Sequence, residues 1–180
     1  MRPTLDTPRL ILRPFVLADA PALQRLAGAR EIADTTLTIP HPYVDGMAEQ
    51  WIETHEAQFA EGASATCAVT ERDGGALAGG ISLLMKREHA RAELGFWIGM
   101  PYWGRGYCTE AASAMLRYAF AELGLNRVHA CHFSRNPASG RVMRKVGMKY
   151  EGCLRAHVHK WDRFEDLEVY GVLAEEWSEA

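Results

Sequence analysis

Apolar residues along the chain follow two different periods, and the switches between them mark the elements. Leu10, Ile11 and Leu12 form a short apolar run between Pro8-Arg9 and Arg13-Pro14, which predicts a first strand bounded by breakers. After Asp19 the positions Ala22, Leu23, Leu26 and Ala27 take helical spacing, and Gly28 closes the segment. A second helix is predicted with Asp45 as its cap and an end near Glu61, because Trp51, Ile52, His55 and Phe59 share a helical face before Gly62. Strand patterning then takes over. Thr66 to Thr70 and Ala76 to Leu84, joined by Arg72-Asp73-Gly74-Gly75, read as a hairpin, and Ala92 to Gly99 supplies a further strand.

The strongest helical stripe is Ala112, Met115, Leu116, Ala119, Phe120 and Leu123, ended by Gly124. Arg127 to Phe133 reads as a strand, Ala138 to Val146 as a short helix closed by Gly147, and Tyr150 to His159 with Phe164 to Leu173 as a final pair of strands. Strands first, then strand, helix, strand, helix and hairpin predict an α/β protein with a central mixed sheet flanked by helices. No internal repeat or low-complexity linker interrupts the order, and 180 residues at 48% hydrophobic content suit one core.

Charge and cysteine usage narrow the partners. A net charge of -3 without a basic stripe argues against nucleic-acid or acidic-membrane binding. The stretch from Met1 to Asp6 lacks the apolar core of a signal peptide, and no run of about 18 apolar residues occurs, so a soluble, cytoplasmic protein is expected. Cys67, Cys108, Cys131 and Cys153 form no Cys-x-x-Cys pair and are expected to be reduced and mostly buried. His129-Ala130-Cys131-His132 on a strand divides its side chains between two faces, so no metal is assigned.

The chemistry concentrates in Pro101-Tyr102-Trp103-Gly104-Arg105-Gly106-Tyr107-Cys108-Thr109-Glu110, between a strand and the long helix. Such a turn aims several unpaired N–H groups one way, and Gly104 and Gly106 permit close backbone approach to an anion such as a diphosphate. The NTPase loop is excluded because no lysine is present, and the dinucleotide fingerprint lacks its third glycine, with Thr109 in its place. A diphosphate site and a plain tight turn remain the two readings of these residues alone.

Trp103-Gly104-Arg105-Gly106-Tyr107-Cys108 resembles the acetyl-CoA loop of the GNAT acetyltransferases, whose pattern is Gln/Arg-x-x-Gly-x-Gly/Ala. Asn136-Pro137-Ala138-Ser139, Gly147-Met148 and Glu151-Gly152 look like the second half of the cofactor site in the branch containing the ribosomal-protein alanine and serine N-acetyltransferases. Thr7 to Arg13 and Asp166 to Tyr170 are similar too, so the resemblance spans residues 7–173. It implies a single-domain GNAT fold, acetyl-CoA as cosubstrate and transfer of acetyl to a primary amine, a protein N-terminus before a polyamine or amino sugar. A noncatalytic acyl-CoA sensor is the contrasting class. The implied cofactor-binding residues are Ile98, Gly104, Arg105, Gly106, Tyr107, Cys108, Thr109, Asn136 and Ser139, with backbone near Ile98 pairing the pantetheine arm as an added strand would.

A tyrosine that many of these enzymes place seven residues after the asparagine is Met143 here, so the resemblance hands the task of protonating the departing thiolate to Ser139. Helix capping is the structural alternative for that serine. Glu93, on the strand leading to the loop, is the candidate general base, with partial burial expected to raise its pKa. A surface pair with Arg91 is the competing reading, and His157 and His159 are further candidates on the late hairpin.

Overall fold

The computed structural model describes residues 2–178. Eight strands form one sheet: β1 (Leu5–Asp6), β2 (Leu10–Arg13), β3 (Ser64–Glu71), β4 (Leu77–Lys86), β5 (Arg91–Ile98), β6 (Arg127–Phe133), β7 (Lys149–Lys160) and β8 (Arg163–Leu173). Their spatial order is β1-β2-β3-β4-β5-β6-β8-β7, and every neighbouring pair is antiparallel except β5 with β6. Five α-helices connect them: α1 (Ala20–Ala27), α2 (Arg30–Thr35), α3 (Met47–Ala60), α4 (Tyr107–Arg117) and α5 (Pro137–Lys145).

Strand alternation sends apolar side chains to both faces of the sheet, so each face carries its own core. On one face Leu12, Val69, Leu83, Leu94 and Val128 pack with Met115, Leu116 and Met143 of α4 and α5. On the other, Phe15 and Ala68 pack with Leu23, Leu26 and Ile52 of α1 and α3.

The parallel pair sets up the site. β5 and β6 are in register only over Arg91, Ala92 and Glu93 against Arg127, Val128 and His129. Beyond that step each strand is stitched to its outer neighbour. β5 stays paired to β4 as far as Ile98, and Gly79 and Gly80 allow it to lie close, since a Cβ on Gly80 would sit 2.8 Å from the Trp97 indole nitrogen. β6 stays paired to β8 as far as Phe133. The two strands part, and a V-shaped cleft opens toward their C-terminal ends.

Several elements depart from the sequence reading. α2 and the two-residue β1 were not anticipated, because each is too short to show a period. Asp45 does not cap α3; the N-cap is Gly46 at φ +85°, and the Asp45 carboxylate instead accepts a hydrogen bond from Gln24 Nε2 at 2.7 Å. The long helix after the loop ends in a π-helical turn, Tyr118–Glu122, in which Leu123 N–H reaches the Tyr118 carbonyl, before Gly124 at φ +62°. The cysteines are all unpaired, but only Cys67 is buried; Cys108 and Cys131 are half-buried and Cys153 is exposed.

His55 on α3 sits in an aromatic pocket, 4.3 Å from Trp51 and 5.7 Å from Phe15 between ring centroids, and neither ring nitrogen has a hydrogen-bond partner among the described residues. Burial first, with Arg2 adding, pushes its pKa down to about 4. The unfolded chain therefore takes up a proton near pH 6.5 that the folded chain refuses until about pH 4. Stability is fully present above pH 6.5 and falls by up to about 1.4 kcal/mol per pH unit on the way down to 4. Urea titrations should show this slope in the wild-type protein and a flatter one in His55→Leu.

Candidate active site

The loop that the sequence singled out lies at the mouth of the cleft. β5 ends at Ile98, a single 3-10 turn over Met100–Tyr102 redirects the chain, and Gly104 and Gly106 adopt φ of +76° and +80° before α4 begins. These are left-handed conformations that a Cβ disfavours, so both glycines have a geometric role whatever the loop binds. Among the described residues no side chain caps α4, so the N–H groups of its first turn face the space in front of the loop.

A polar frame holds the loop from behind. Glu110 accepts hydrogen bonds from Thr7 Oγ1 at 2.6 Å, from the Arg9 N–H at 2.8 Å and from Arg9 Nε at 2.7 Å. Arg9 also reaches the Arg105 carbonyl at 2.8 Å, and the Tyr107 hydroxyl donates to Glu71 at 2.7 Å. Burial opposes the charge on Glu110, yet the hydrogen bonds from Thr7 and Arg9 hold its carboxyl below the usual carboxylate range. Cys108 is inert, its thiol pushed up to about 12 by burial. Thr109 is the third residue of α4 and lines a surface groove of about 740 Å³ together with Arg9, Ser113, Arg117, Arg144 and Lys145. Those four basic residues were not singled out from the sequence. They come from three separate segments, and only the fold gathers them.

Inside the cleft the backbone itself is the reactive surface. Gly99 N–H bonds the Ala78 carbonyl on β4, so by strand alternation the N–H and C=O groups of Ile98 and Phe96 point the other way, into the cleft, as does the C=O of Leu94, whose N–H still pairs with β6. The Ile98 carbonyl accepts the Trp103 indole N–H at 2.6 Å, which leaves its second lone pair and the N–H of the same residue.

Across the cleft, β6 leads through Ser134 and Arg135 to Asn136, the N-cap of α5. Ser139 is therefore not the cap. Its Oγ accepts from Asn136 Nδ2 at 3.0 Å, so the hydroxyl proton is left to donate elsewhere. The helix lies tight on the sheet, since a Cβ on Gly140 would come within 2.6 Å of His132 Nε2. Arg135 anchors the same turn, donating to Glu165 Oε1 at 2.8 Å and Asp34 Oδ2 at 2.6 Å, while Lys160 Nζ donates to the Leu37 carbonyl at 3.1 Å. Together these contacts tie α2, the β7–β8 hairpin and the α5 turn into one clasp.

Glu93 stands at the closed end of the cleft, and its side chain is 47% exposed, on the face opposite buried Ala92 and Leu94. The expected partial burial gives way to a half-open position. Its partner across the strands is not Arg91 but the imidazole of His129 on β6, with Nε2 3.9 Å from Oε2. His157 and His159 are exposed on β7, where Ala156 at φ +48° and a register slip between Leu154 and Val158 break the alternation expected of them.

The comparisons with known proteins agree with this architecture. Residues 9–149 match the family described as the acetyltransferase (GNAT) domain. The uncharacterised N-acetyltransferase YoaA of Bacillus subtilis is 31% identical, covering 96% of this chain and 98% of YoaA. YdaF of the same organism, provisionally named a ribosomal N-acetyltransferase, is 36% identical over 57% of each chain. The structure of Mycobacterium smegmatis RimJ in complex with CoA-disulfide superposes with a TM-score of 0.86 at 22% identity, covering 97% of this chain and 89% of RimJ. The chain belongs to the GNAT acetyltransferase family, with the eight-stranded mixed sheet of that fold. It is an acetyl-CoA-dependent N-acetyltransferase. Among the described residues, no helix is long and apolar enough to cross a membrane.

The frame behind the loop predicts its own test. Glu110→Gln keeps the shape but removes a charge that accepts several hydrogen bonds, and should destabilise the protein by about 1.5–3 kcal/mol. The loosened loop should also raise the calorimetric Kd for acetyl-CoA by about tenfold, or roughly 1.4 kcal/mol. A folded variant with wild-type affinity would separate the frame from the cofactor loop.

Proposed function

We propose that this enzyme acetylates the N-terminal amine of a protein, in the cytoplasm, with residues 7–173 acting as one catalytic domain. The observation that carries the reading is the unpaired half of β5, a row of strand donors and acceptors with no strand opposite, leading straight into an uncapped helix N-terminus. A buried row of unpaired backbone groups is costly, and a cosubstrate with two peptide-like amides and a diphosphate supplies both kinds of partner.

The residues present fit acetyl-CoA on these grounds. The backbone of Gly104, Arg105, Gly106, Tyr107, Cys108 and Thr109 would hold the diphosphate, with the Arg105 side chain at the rim. Ile98 and Phe96 would pair with the two amides of the arm. Arg117, Arg144 and Lys145 around the adjoining groove suit the charge of the nucleotide end. Bound there, acetyl-CoA supplies an acetyl group activated as a thioester.

The protein's own part is positioning and proton management. Asn136 fixes Ser139, whose free proton is available to the sulfur as it departs. Glu93 offers a carboxylate on the opposite face, where the sheet is open enough for a polypeptide end to approach. YdaF, named for ribosomal N-acetylation, lends support to a protein acceptor. The four unpaired thiols are in keeping with a reducing compartment.

Turnover measured by CoA release across N-terminal peptides, polyamines and amino sugars tests the acceptor. Peptides bearing a free α-amine should exceed the other classes in kcat/KM by about tenfold or more, a transition-state preference of roughly 1.4 kcal/mol. A polyamine or amino sugar in first place would overturn the assignment. Ser139→Ala should lower kcat by about 10–100-fold with little change in the KM for acetyl-CoA, the pattern of an interaction made only in the transition state.

A further inference from the structure

We propose that Glu93 and His129 together form the seat for the acceptor's ammonium group, with His129 Nε2 as the atom that takes its proton. The proposal rests on the acetyl-CoA reading of the cleft and adds to it a residue and a substrate charge state.

The geometry starts from register. Glu93 and His129 are opposite one another at the last paired step before β5 and β6 separate. An arm paired with Ile98 and Phe96 continues toward Leu94, because alternate strand residues repeat about every 6.8 Å. That direction ends one residue from Glu93. Ala92 and Leu94 fill the opposite face with core, so an acceptor reaches the apex of the cleft only from the side on which Glu93 and His129 lie.

The separation of the two groups is informative. At 3.9 Å, Nε2 and Oε2 are too far apart for a hydrogen bond to each other. Two acceptors that share one ammonium nitrogen, each about 2.8 Å from it, stand about 4.6 Å apart when its N–H bonds keep tetrahedral angles. A primary ammonium therefore fits between them once the half-exposed Glu93 side chain swings outward by about 0.7 Å, donating one N–H to the carboxylate and one to the imidazole. The imidazole is 17% exposed, so it is both reachable and partly desolvated.

The chemical division of labour follows. A carboxylate is a strong site for a cation but a weak base toward an ammonium, whereas an imidazole has its basicity near the working pH. Burial, opposed by Glu93, lowers the pKa of His129 below its ordinary value, which favours the neutral ring that can accept a proton. The charged and titratable groups around it are Glu93 and Arg91 on β5, Arg127 and Cys131 on β6, and Glu151 on β7. Cys131 stays a thiol, pushed up to about 11 by burial, Glu93 and Glu151. Arg127 is held in a bidentate pair with Glu151.

Proton and electron counts close. The ammonium gives one proton to His129, forming an imidazolium beside the Glu93 carboxylate. The freed nitrogen lone pair makes the C–N bond to the acetyl carbon as the C–S bond breaks. The sulfur leaves with the bonding pair and takes up a proton, the nitrogen loses its second proton, and His129 returns its own to solvent. The net products are an amide, a thiol and one proton.

The pH dependence has a definite sign. Activity needs a neutral imidazole, so kcat/KM falls as pH drops through the His129 pKa. His129→Gln should lower kcat/KM by about 10²–10⁴ at neutral pH and abolish that acid limb, with acetyl-CoA affinity by calorimetry unchanged. Glu93→Gln removes the neighbour that favours the imidazolium and should move the NMR titration midpoint of His129 to lower pH. That measurement needs neither turnover nor the His129 variant. Retention of both activity and the acid limb in His129→Gln, or an unmoved midpoint in Glu93→Gln, would overturn the proposal. Failure of the wild-type protein to bind acetyl-CoA in the same calorimetry would instead overturn the reading of the cleft.

Discussion

The parting of β5 from β6 after a single three-residue parallel register is the constraint on which the rest of the structure depends. Strands normally satisfy one another's backbone groups, and a strand left half-paired inside a fold must find another partner. Here neither strand is free to close the gap. β5 is drawn against β4 by the absence of side chains at Gly79 and Gly80, and β6 is drawn toward β8 along its whole length and held at its end by the Arg135 clasp. The cleft is thus built by contacts outside it. Its backbone groups are left to a ligand that resembles a peptide.

Two helices complete the arrangement because both begin where the strands end. α4 brings an uncapped N-terminus to the mouth of the cleft, and α5 brings Asn136 and Ser139 to the opposite lip. The electrostatic cost of holding Glu110 behind the loop is offset by the hydrogen bonds it accepts from the β1–β2 turn, which pins a mobile kind of segment to the sheet. On the far lip, buried Glu165 accepts from both Arg135 and Arg163, and both arginines also reach Asp34, so the hairpin, α2 and the α5 turn are tied together. Breaking one member of that set leaves a buried charge uncompensated.

Much of this was legible in the sequence, for physical reasons that differ by element. The stripe from Ala112 to Leu123 and the Arg72–Gly75 turn declared their elements because period and turn chemistry are local. Gly104 and Gly106 were marked by the conformations they now show. What escaped was non-local. Asp45 looked like a cap until Gly46 took that position with a left-handed φ, and α2 was too short to carry a stripe. The four basic residues of the groove are separated by up to 136 positions, from Arg9 to Lys145, and nothing in local pattern links them. His129 was weighed only as a metal ligand and set aside as one, since its pairing with Glu93 exists only through the parallel register of β5 and β6.

The central claim is that the unpaired edge of β5 is completed by the cosubstrate. Amide hydrogen exchange with and without acetyl-CoA reads that edge directly, since an N–H that gains a partner exchanges more slowly. The account predicts slowed exchange at Phe96 and Ile98 and across Gly104–Thr109, with the paired positions of β3 unchanged. Binding of acetyl-CoA with no added protection at Phe96 and Ile98 would contradict it.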